Sequence, residues 1–321
     1  MRPSIGPNGY SSGFPTPRRV VGDPLDMFVS WQYRDNVGYI VEEIHNKRTR
    51  RFERYPVGTA FFVSLVQHEI VFTYAVTAKH VVLSPDRQRF IRVNEKGGER
   101  YLDIPVRQDD WAFGESDTAI TEIRIEPTMN VWAYPAMEAF SGLGPIYTLP
   151  RIGHDVFMVG LFTSLGSESV EALVRHGNIA KEQSQIRVKL SPKSPEQVIS
   201  AYLIQANAWG GESGSPVFAY EPEHYIEGQR IHDMLSNRTH GHLEQLYTKI
   251  TITPRLIGLL HGHFRVDDGK LAPNSGIAIV VPVEHALNPI FPPGKLADAR
   301  EVAVAEKYKG RPLPTPATLV K

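Results

Sequence analysis

Three short stretches of the chain carry residue types that together can perform acyl transfer. The first is Thr77-Ala78-Lys79-His80-Val81, at the end of an apolar run. The second is Ser116-Asp117-Thr118-Ala119-Ile120-Thr121-Glu122-Ile123, and the third is Gly211-Glu212-Ser213-Gly214-Ser215-Pro216-Val217-Phe218. A serine hydroxyl attacks a carbonyl poorly until an imidazole accepts its proton. A carboxylate must then hold the imidazole tautomer and stabilise the imidazolium. On that chemistry Ser213 is the candidate nucleophile, His80 its base and Asp117 the orienting carboxylate. The charge that develops on the carbonyl oxygen needs preorganised N–H donors. A glycine two residues before the serine permits a backbone shape that aims two amides inward, so the N–H groups of Gly211 and Ser213 are the candidate oxyanion donors. Each motif is a weak signal by itself; the three in this order carry the reading.

The carboxylate has competitors. Asp109 and Asp110 lie nearby, and Asp110-Trp111-Ala112 has a similar local shape. Asp117 is preferred because an alternating strand follows it, with Ala119, Thr121, Ile123 and Ile125 on one face. Asp110 precedes Gly114 and reads as loop.

The elements that must position these residues read as strands. Short runs rich in Val, Ile, Phe, Tyr and Thr follow one another with turn residues between: MFVSW (27–31), GYIVEEI (38–44), TAFFVSLV (59–66), IVFTYAVTA (70–78), TAITEIRI (118–125), DVFMVGLF (155–162), QIRVKL (185–190), SPVFAY (215–220), LIGLLHGHF (256–264) and GIAIVVPV (276–283). Their number suggests an all-β sandwich or barrel. One helix is expected over 296–310, LADAREVAVAEKYKG, with a glycine stop. Residues 1–25 read as a flexible leader and the Pro-rich end of the chain as extended. The polar stretch at about 221–254 reads as a surface insertion.

Composition narrows the function classes. Of 321 residues, 35 are Lys or Arg and 35 are Asp or Glu, so the net charge is zero. That gives no field to attract nucleic acid or an anionic membrane. With no cysteine, disulfides, thiol catalysis and Cys-based zinc sites are excluded. The first 24 residues contain no apolar signal core, and no run approaches the ~20 residues that span a bilayer. The expectation is a cytoplasmic protein.

With the motifs in place, the chain resembles the trypsin-like (chymotrypsin-fold) serine peptidases, in particular bacterial members without disulfides. GTAFFV (58–63) followed by VTAKHVV (76–82) resembles the strands leading to the family's catalytic histidine. SDTAITEI resembles its aspartate strand and GESGSPVF its serine loop. LIGLLHGHF and GIAIVVPV resemble the two strands that follow the serine. The order His, Asp, Ser is the family's, and the separations, 117 − 80 = 37 and 213 − 117 = 96 residues, leave room for the remainder of one barrel and most of a second. The resemblance implies two six-stranded antiparallel β-barrels with the site between them, over about residues 26–290: one at about 26–135, another at about 145–290, then a C-terminal extension over 291–321. It implies a cofactor-free serine endopeptidase acting on a peptide or protein. The alternative is a protease-fold binding or scaffold protein, inactive or gated by a regulatory protein partner. The residue six before the nucleophile, Asn207, is expected at the floor of the substrate pocket, with Leu260, His261, Gly262 and His263 as its wall.

Other motifs carry less. Arg19-Val20-Val21-Gly22 resembles a zymogen cleavage point, whose new amine would pair with Glu212, but Val20 lies 80 − 20 = 60 residues before His80, longer than the family norm. His240-Gly241-His242 and His261-Gly262-His263 could each chelate a metal on a strand. No carboxylate motif completes either pair, so no metal is expected. Lys47-Arg48-Thr49-Arg50-Arg51, flanked by Glu42, Glu43 and Glu53, is expected at a solvated hairpin tip rather than on nucleic acid.

Overall fold

Apolar runs broken by turn residues become strands because each run can bury one face while its backbone pairs sideways. The computed structural model describes residues 29–84, 87–98, 100–141, 150–161, 170–189, 196–207, 211–221, 253–265 and 274–309. The expected leader, most of the 221–254 insertion, and His240 and His242 lie outside the described residues. All that follows belongs to the unit Trp31–Lys321.

The N-terminal half is an eight-stranded sheet. Its strands are β1 (Val37–Asn46), β2 (Arg51–Gln67), β3 (Ile70–Thr77), β4 (Arg89–Asn94), β5 (Tyr101–Val106), β6 (Ala112–Phe113), β7 (Ala119–Ile123) and β8 (Tyr134–Pro135). The hydrogen-bonded order is β5-β4-β1-β2-β3-β7-β6, with β8 parallel to β2. The C-terminal half comprises β9 (Asp155–Leu161), β10 (Ala172–Lys189), β11 (Glu196–Gln205), β12 (Pro216–Glu221), β13 (Thr253–Arg265) and β14 (Asn274–Pro282). These six close into a barrel in the order β9-β10-β11-β14-β13-β12. One half therefore has the expected barrel of six strands. The other has eight strands in a path ending at β5 and β6, with β4, β5, β6 and β8 beyond those that the apolar runs suggested. Inside the barrel, Met158, Ile204, Val217, Leu260 and Val280 form part of one buried cluster.

MFVSW, expected as a strand, departs from that reading over its described residues, 29–31. Trp31–Arg34 forms a short helix, α1. The helical turn leaves Trp31 in solvent and sends Tyr33 inward, edge-on to Trp132 of one half and to Phe157 and Phe218 of the barrel. Among the described residues the other expected runs lie mainly on strands, although β7 stops at Ile123, short of Ile125. Lys47–Arg50 form the turn between β1 and β2, where the Asn46 side chain accepts from the N–H groups of Arg48 and Thr49.

The turn between β2 and β3 is built on His68 and Glu69, both with positive φ (45° and 58°). That geometry suits the twist of a two-residue hairpin but normally calls for Asn or Gly. The expected C-terminal helix, here Lys295–Lys307, supplies compensation. Just past its end, the Tyr308 hydroxyl donates to the His68 carbonyl at 2.9 Å, and buried Arg300 reaches Gln67 Oε1 at 3.1 Å and the Tyr74 hydroxyl at 3.0 Å. Among the described residues no helix is long and apolar enough to cross a membrane.

Charge also sits inside the N-terminal sheet. The Arg89 guanidinium, 2% exposed, donates to Glu42 from both Nε and Nη2 and to Gln108 from Nη1. A buried pair contributes little net stability against an apolar isostere, yet breaking one side leaves a charge with no counter-ion. Glu42→Ala is therefore expected to lower unfolding free energy by about 3–5 kcal/mol, measured by urea denaturation. A loss under about 1 kcal/mol, the scale of an exposed pair, would contradict this account.

Candidate active site

His80 stands in a short helix, α2 (Lys79–Val82), directly after β3. The residue before the helix is Ala78, which has no side chain to cap it. The missing cap comes from Asp117, just ahead of β7. Its carbonyl accepts the Lys79 N–H at 3.2 Å and its Oδ1 accepts the His80 N–H at 2.9 Å, satisfying first-turn donors that the helix leaves open. β3 and β7 are paired with Thr77 opposite Ala119, so histidine and aspartate are carried side by side by adjacent strand ends.

The Asp117 carboxylate is buried and serves two imidazoles. His80 Nδ1 lies 2.7 Å and His261 Nδ1 2.5 Å from Oδ2. Both rings present Nδ1 to the acid, and in a neutral ring held this way Nε2 is the nitrogen without a proton. The rings stand edge to face, 5.3 Å between centroids. Asp110, the rival acid, is elsewhere: it caps a 3-10 turn by accepting the Arg107 N–H at 2.8 Å.

Ser213 arrives from the barrel half. The loop carrying it is docked onto Thr59 of β2. The Thr59 N–H donates to the Ser213 carbonyl at 2.9 Å, and the Thr59 hydroxyl donates to the Gly211 carbonyl at 2.9 Å while accepting from Leu161 N–H at 3.2 Å. Gly211 and Gly214 both have φ of +94°. At Gly214 a Cβ would lie 2.0 Å from the Thr59 carbonyl oxygen, so this position tolerates no side chain. Among the described residues, neither the Gly211 nor the Ser213 N–H has a backbone acceptor. The Ser213 hydroxyl itself donates to the His261 carbonyl at 3.0 Å.

The expected pocket wall divides. Leu260 is 1% exposed and belongs to the barrel core, and His261 turns the other way, onto Asp117. His261 is the extra residue of a bulge between Leu260 and Gly262 in the pairing with β14, and its side chain leaves the wall that Leu260 faces. A Cβ on Gly262 would meet open space, which fits a wall position. His263 follows on the same strand, half-buried. Asn207 is exposed at the end of β11, and a Cβ on Gly276 would lie 3.6 Å from its Oδ1. The contact of His261 with Asp117 escaped sequence reading. Its one signal is a histidine in the strand after the serine loop, which the sequence places on the pocket wall. His80, Asp117 and His261 do bring metal-ligating atoms within 4.8 Å of one another. The two N···O separations are those of N–H···O hydrogen bonds, so a cation would have to displace both protons.

Burial by itself would raise the Asp117 pKa, but hydrogen bonds from His261 and His80, with their charge interactions, outweigh it and bring it down to about 2. A carboxyl whose folded pKa is depressed adds stability that is full above its unfolded value, near 3.9, and lost as pH falls toward the folded one. The expected outcome is a loss on the order of 2 kcal/mol between about pH 4 and pH 2, absent in Asp117→Asn, measured by denaturant titrations at each pH. Equal acid slopes in the two proteins would show that the carboxylate is not held this way.

A family profile described as the trypsin-like peptidase domain matches residues 58–223, a span that contains His80, Asp117 and Ser213 and stops before β13. No curated protein matches the chain. Among solved structures, the chain is similar to the apo MamO protease domain from Magnetospirillum magneticum, with 14% identity, 79% of this chain and 94% of that one covered, and a TM-score of 0.46. It is also similar to the active form of the Rv3671c protease from M. tuberculosis, with 13% identity, 80% of each chain covered and a TM-score of 0.42.

Proposed function

The chain belongs to the trypsin-like peptidase family, and from that premise we propose that it is a serine endopeptidase using Ser213, His80 and Asp117. The observation that carries the proposal is the Asp117–His80 pair. Oδ2 takes Nδ1–H while Oδ1 holds the same residue's backbone, so the ring is fixed in the tautomer whose Nε2 can act as a base. In the proposed cycle the Ser213 hydroxyl leaves the His261 carbonyl, turns to His80 and gives up its proton as the oxygen attacks the substrate carbonyl. Gly211 and Ser213 N–H groups receive the oxyanion. Proton return from His80 to the leaving amine yields the acyl-enzyme, and water activated by His80 releases the acid. No cofactor takes part. The two-barrel frame of the family is part of the proposal, with the N-terminal sheet as the first barrel.

A second reading, a protease-fold binding protein or a partner-gated enzyme, has one observation on its side: Ser213 donates to a carbonyl rather than to His80. Covalent labelling by a fluorophosphonate separates the readings. Wild-type protein, full length and uncut, is expected to label. Ser213→Ala abolishes labelling with the fold retained, His80→Ala costs on the order of 10⁴–10⁶ in turnover, and Asp117→Asn about 10⁴. Near-normal turnover in any of these, or the Asp117 effect appearing in Asp110→Asn, would refute the assignment.

Specificity follows from what the proposed pocket offers. Selection of Arg or Lys needs a buried carboxylate as counter-ion. Asn207, Gly262, His263 and Gly276 supply none. Cleavage is expected after neutral or acidic residues, and profiling with a peptide library measures it; a dominant preference for Arg or Lys would place other residues at the floor.

A further inference from the structure

The basic run at 47–51 has no part in the proposed chemistry, and the structure sets it at the end of an arm. β1 pairs with β4 only as far as Glu42, with one further bond from the Glu43 N–H to the Gln88 carbonyl at 3.0 Å. β1 and β2 stay paired beyond that, to Asn46 opposite Arg51. No residue from Glu43 to Tyr55 is buried. A two-stranded hairpin standing alone is marginal in water, and this one is braced. The His45 ring stands edge-on to Phe52 at 5.2 Å. The Asn46 amide donates to both Glu53 oxygens at 2.9 Å, the Thr49 hydroxyl donates to Oε1 at 2.6 Å, and the Tyr55 hydroxyl donates to Oε2. The turn is therefore a built feature with fixed side chains around it.

The bracing also uses up the local acids. Glu53 is engaged as above, Glu43 pairs with Arg54, and Glu42 with Arg87 and Arg89. Lys47, Arg48, Arg50 and Arg51 take part in none of these ion pairs and are exposed. Over residues 45–53 four cations stand against one acid, 4 − 1 = +3 with His45 neutral. Zero net charge over the whole chain averages this away, but screening confines an exposed charge to about 8–10 Å, so a partner at the tip meets the local charge. Beside the cations is an apolar ring: Phe52 is 68% exposed. Its contact with His45 does not need that exposure, and an apolar surface left in water contributes nothing to folding.

The shape selects the partner. A hairpin end is convex. It has no groove to hold a peptide, and one exposed ring is not the row of rings on which single-stranded nucleic acid stacks. Cations with an aromatic ring among them match a flat anionic surface that has an apolar layer beneath: the cations meet headgroup phosphates and the ring enters the boundary with the acyl chains. We propose that the β1–β2 hairpin tip is a peripheral docking site for anionic phospholipid membranes, with Lys47, Arg48, Arg50 and Arg51 at the headgroups and Phe52 between them. The proposal is independent of the peptidase reading and involves none of His80, Asp117 and Ser213.

The test is sedimentation of the full-length protein with vesicles of equal parts phosphatidylglycerol and phosphatidylcholine, against vesicles of phosphatidylcholine alone, at about 0.1 M salt. Wild type is expected to bind the first and not the second. Each Lys or Arg near such a surface is worth about fivefold in affinity, so Arg48→Ala with Arg51→Ala should lose about 25-fold. The same pair changed to Lys should keep most of the binding, because a headgroup layer reads charge rather than fork geometry. Phe52→Ala should lose about tenfold, the low end for burying such a ring, and the added indole of Phe52→Trp should shift to the blue on phosphatidylglycerol vesicles. Unchanged thermal unfolding of the variants checks that the hairpin still folds. No sedimentation of wild type with phosphatidylglycerol, or full binding by the double alanine variant, would overturn the proposal. So would full binding by Phe52→Ala together with release by soluble polyglutamate or single-stranded DNA, which would make the tip a charge patch for a soluble acidic partner. Fluorophosphonate labelling without vesicles should be the same in all variants; its failure in wild type would sink the peptidase reading and leave the vesicle result standing.

Discussion

The proposed base and carboxylate come from one half of the molecule and the proposed nucleophile from the other, and Thr59 joins them. Proton transfer within such a set requires hydrogen-bond reach, so an error of about an ångström between the halves would disable it. Thr59 spans the gap with its backbone N–H on the Ser213 carbonyl and its hydroxyl between the Gly211 carbonyl and the Leu161 N–H. Its own carbonyl accepts the Thr77 hydroxyl at 2.6 Å, three residues before His80. The absence of a side chain at Gly214 lets the loop come this close. Larger apolar contacts between the halves, such as Tyr33 on Phe157 and Phe218, supply area but no direction. The hydrogen bonds at Thr59 supply the direction.

The three residues that perform the proposed chemistry were legible because a serine hydrolase needs those residue types, in local settings a sequence displays: a histidine after an apolar run, an acid opening a strand, a serine among glycines. His261 and Arg175 were not legible. Each contacts a residue in or beside the site from far along the chain, 144 residues for His261 and Asp117 and 37 for Arg175 and Glu212. Neither sits in a motif that announces a partner. Strand register, which a one-residue slip would invert, decides both contacts.

The strands show the same division. β1, β2, β3, β7, β9, β12, β13, β14 and the second part of β10 were visible as apolar runs. β4 and β5 were not, because their buried positions carry charge. Arg92, 6% exposed, puts Nε and Nη2 on Asp103 across the β4–β5 pair, and Arg54 of β2 joins the same carboxylate. Alternation of apolar and polar residues signals a strand when water is on one side. It fails where an ion pair fills a buried position. The N-terminal half therefore carried fewer strands in the sequence reading than it has.

The step from Leu260 to His261 shows how the barrel and the site are one mechanical object. Leu260 sends its side chain into the barrel core, and its backbone is bound on both sides by the serine loop: Gly214 N–H on its carbonyl and its own N–H on the Ser215 carbonyl, each at 2.8 Å. The next residue is the extra one of a bulge against β14, and it places an imidazole on Asp117 and a carbonyl on the Ser213 hydroxyl. Core packing around Leu260 thus sets the height of His261 in the cleft. Through it, the packing bears on both the Asp117 carboxylate, which also binds His80, and the Ser213 hydroxyl. Close-packed interiors transmit small displacements rather than absorb them, so a change in the volume of the barrel core would reach the site through this one peptide unit without touching His80, Asp117 or Ser213.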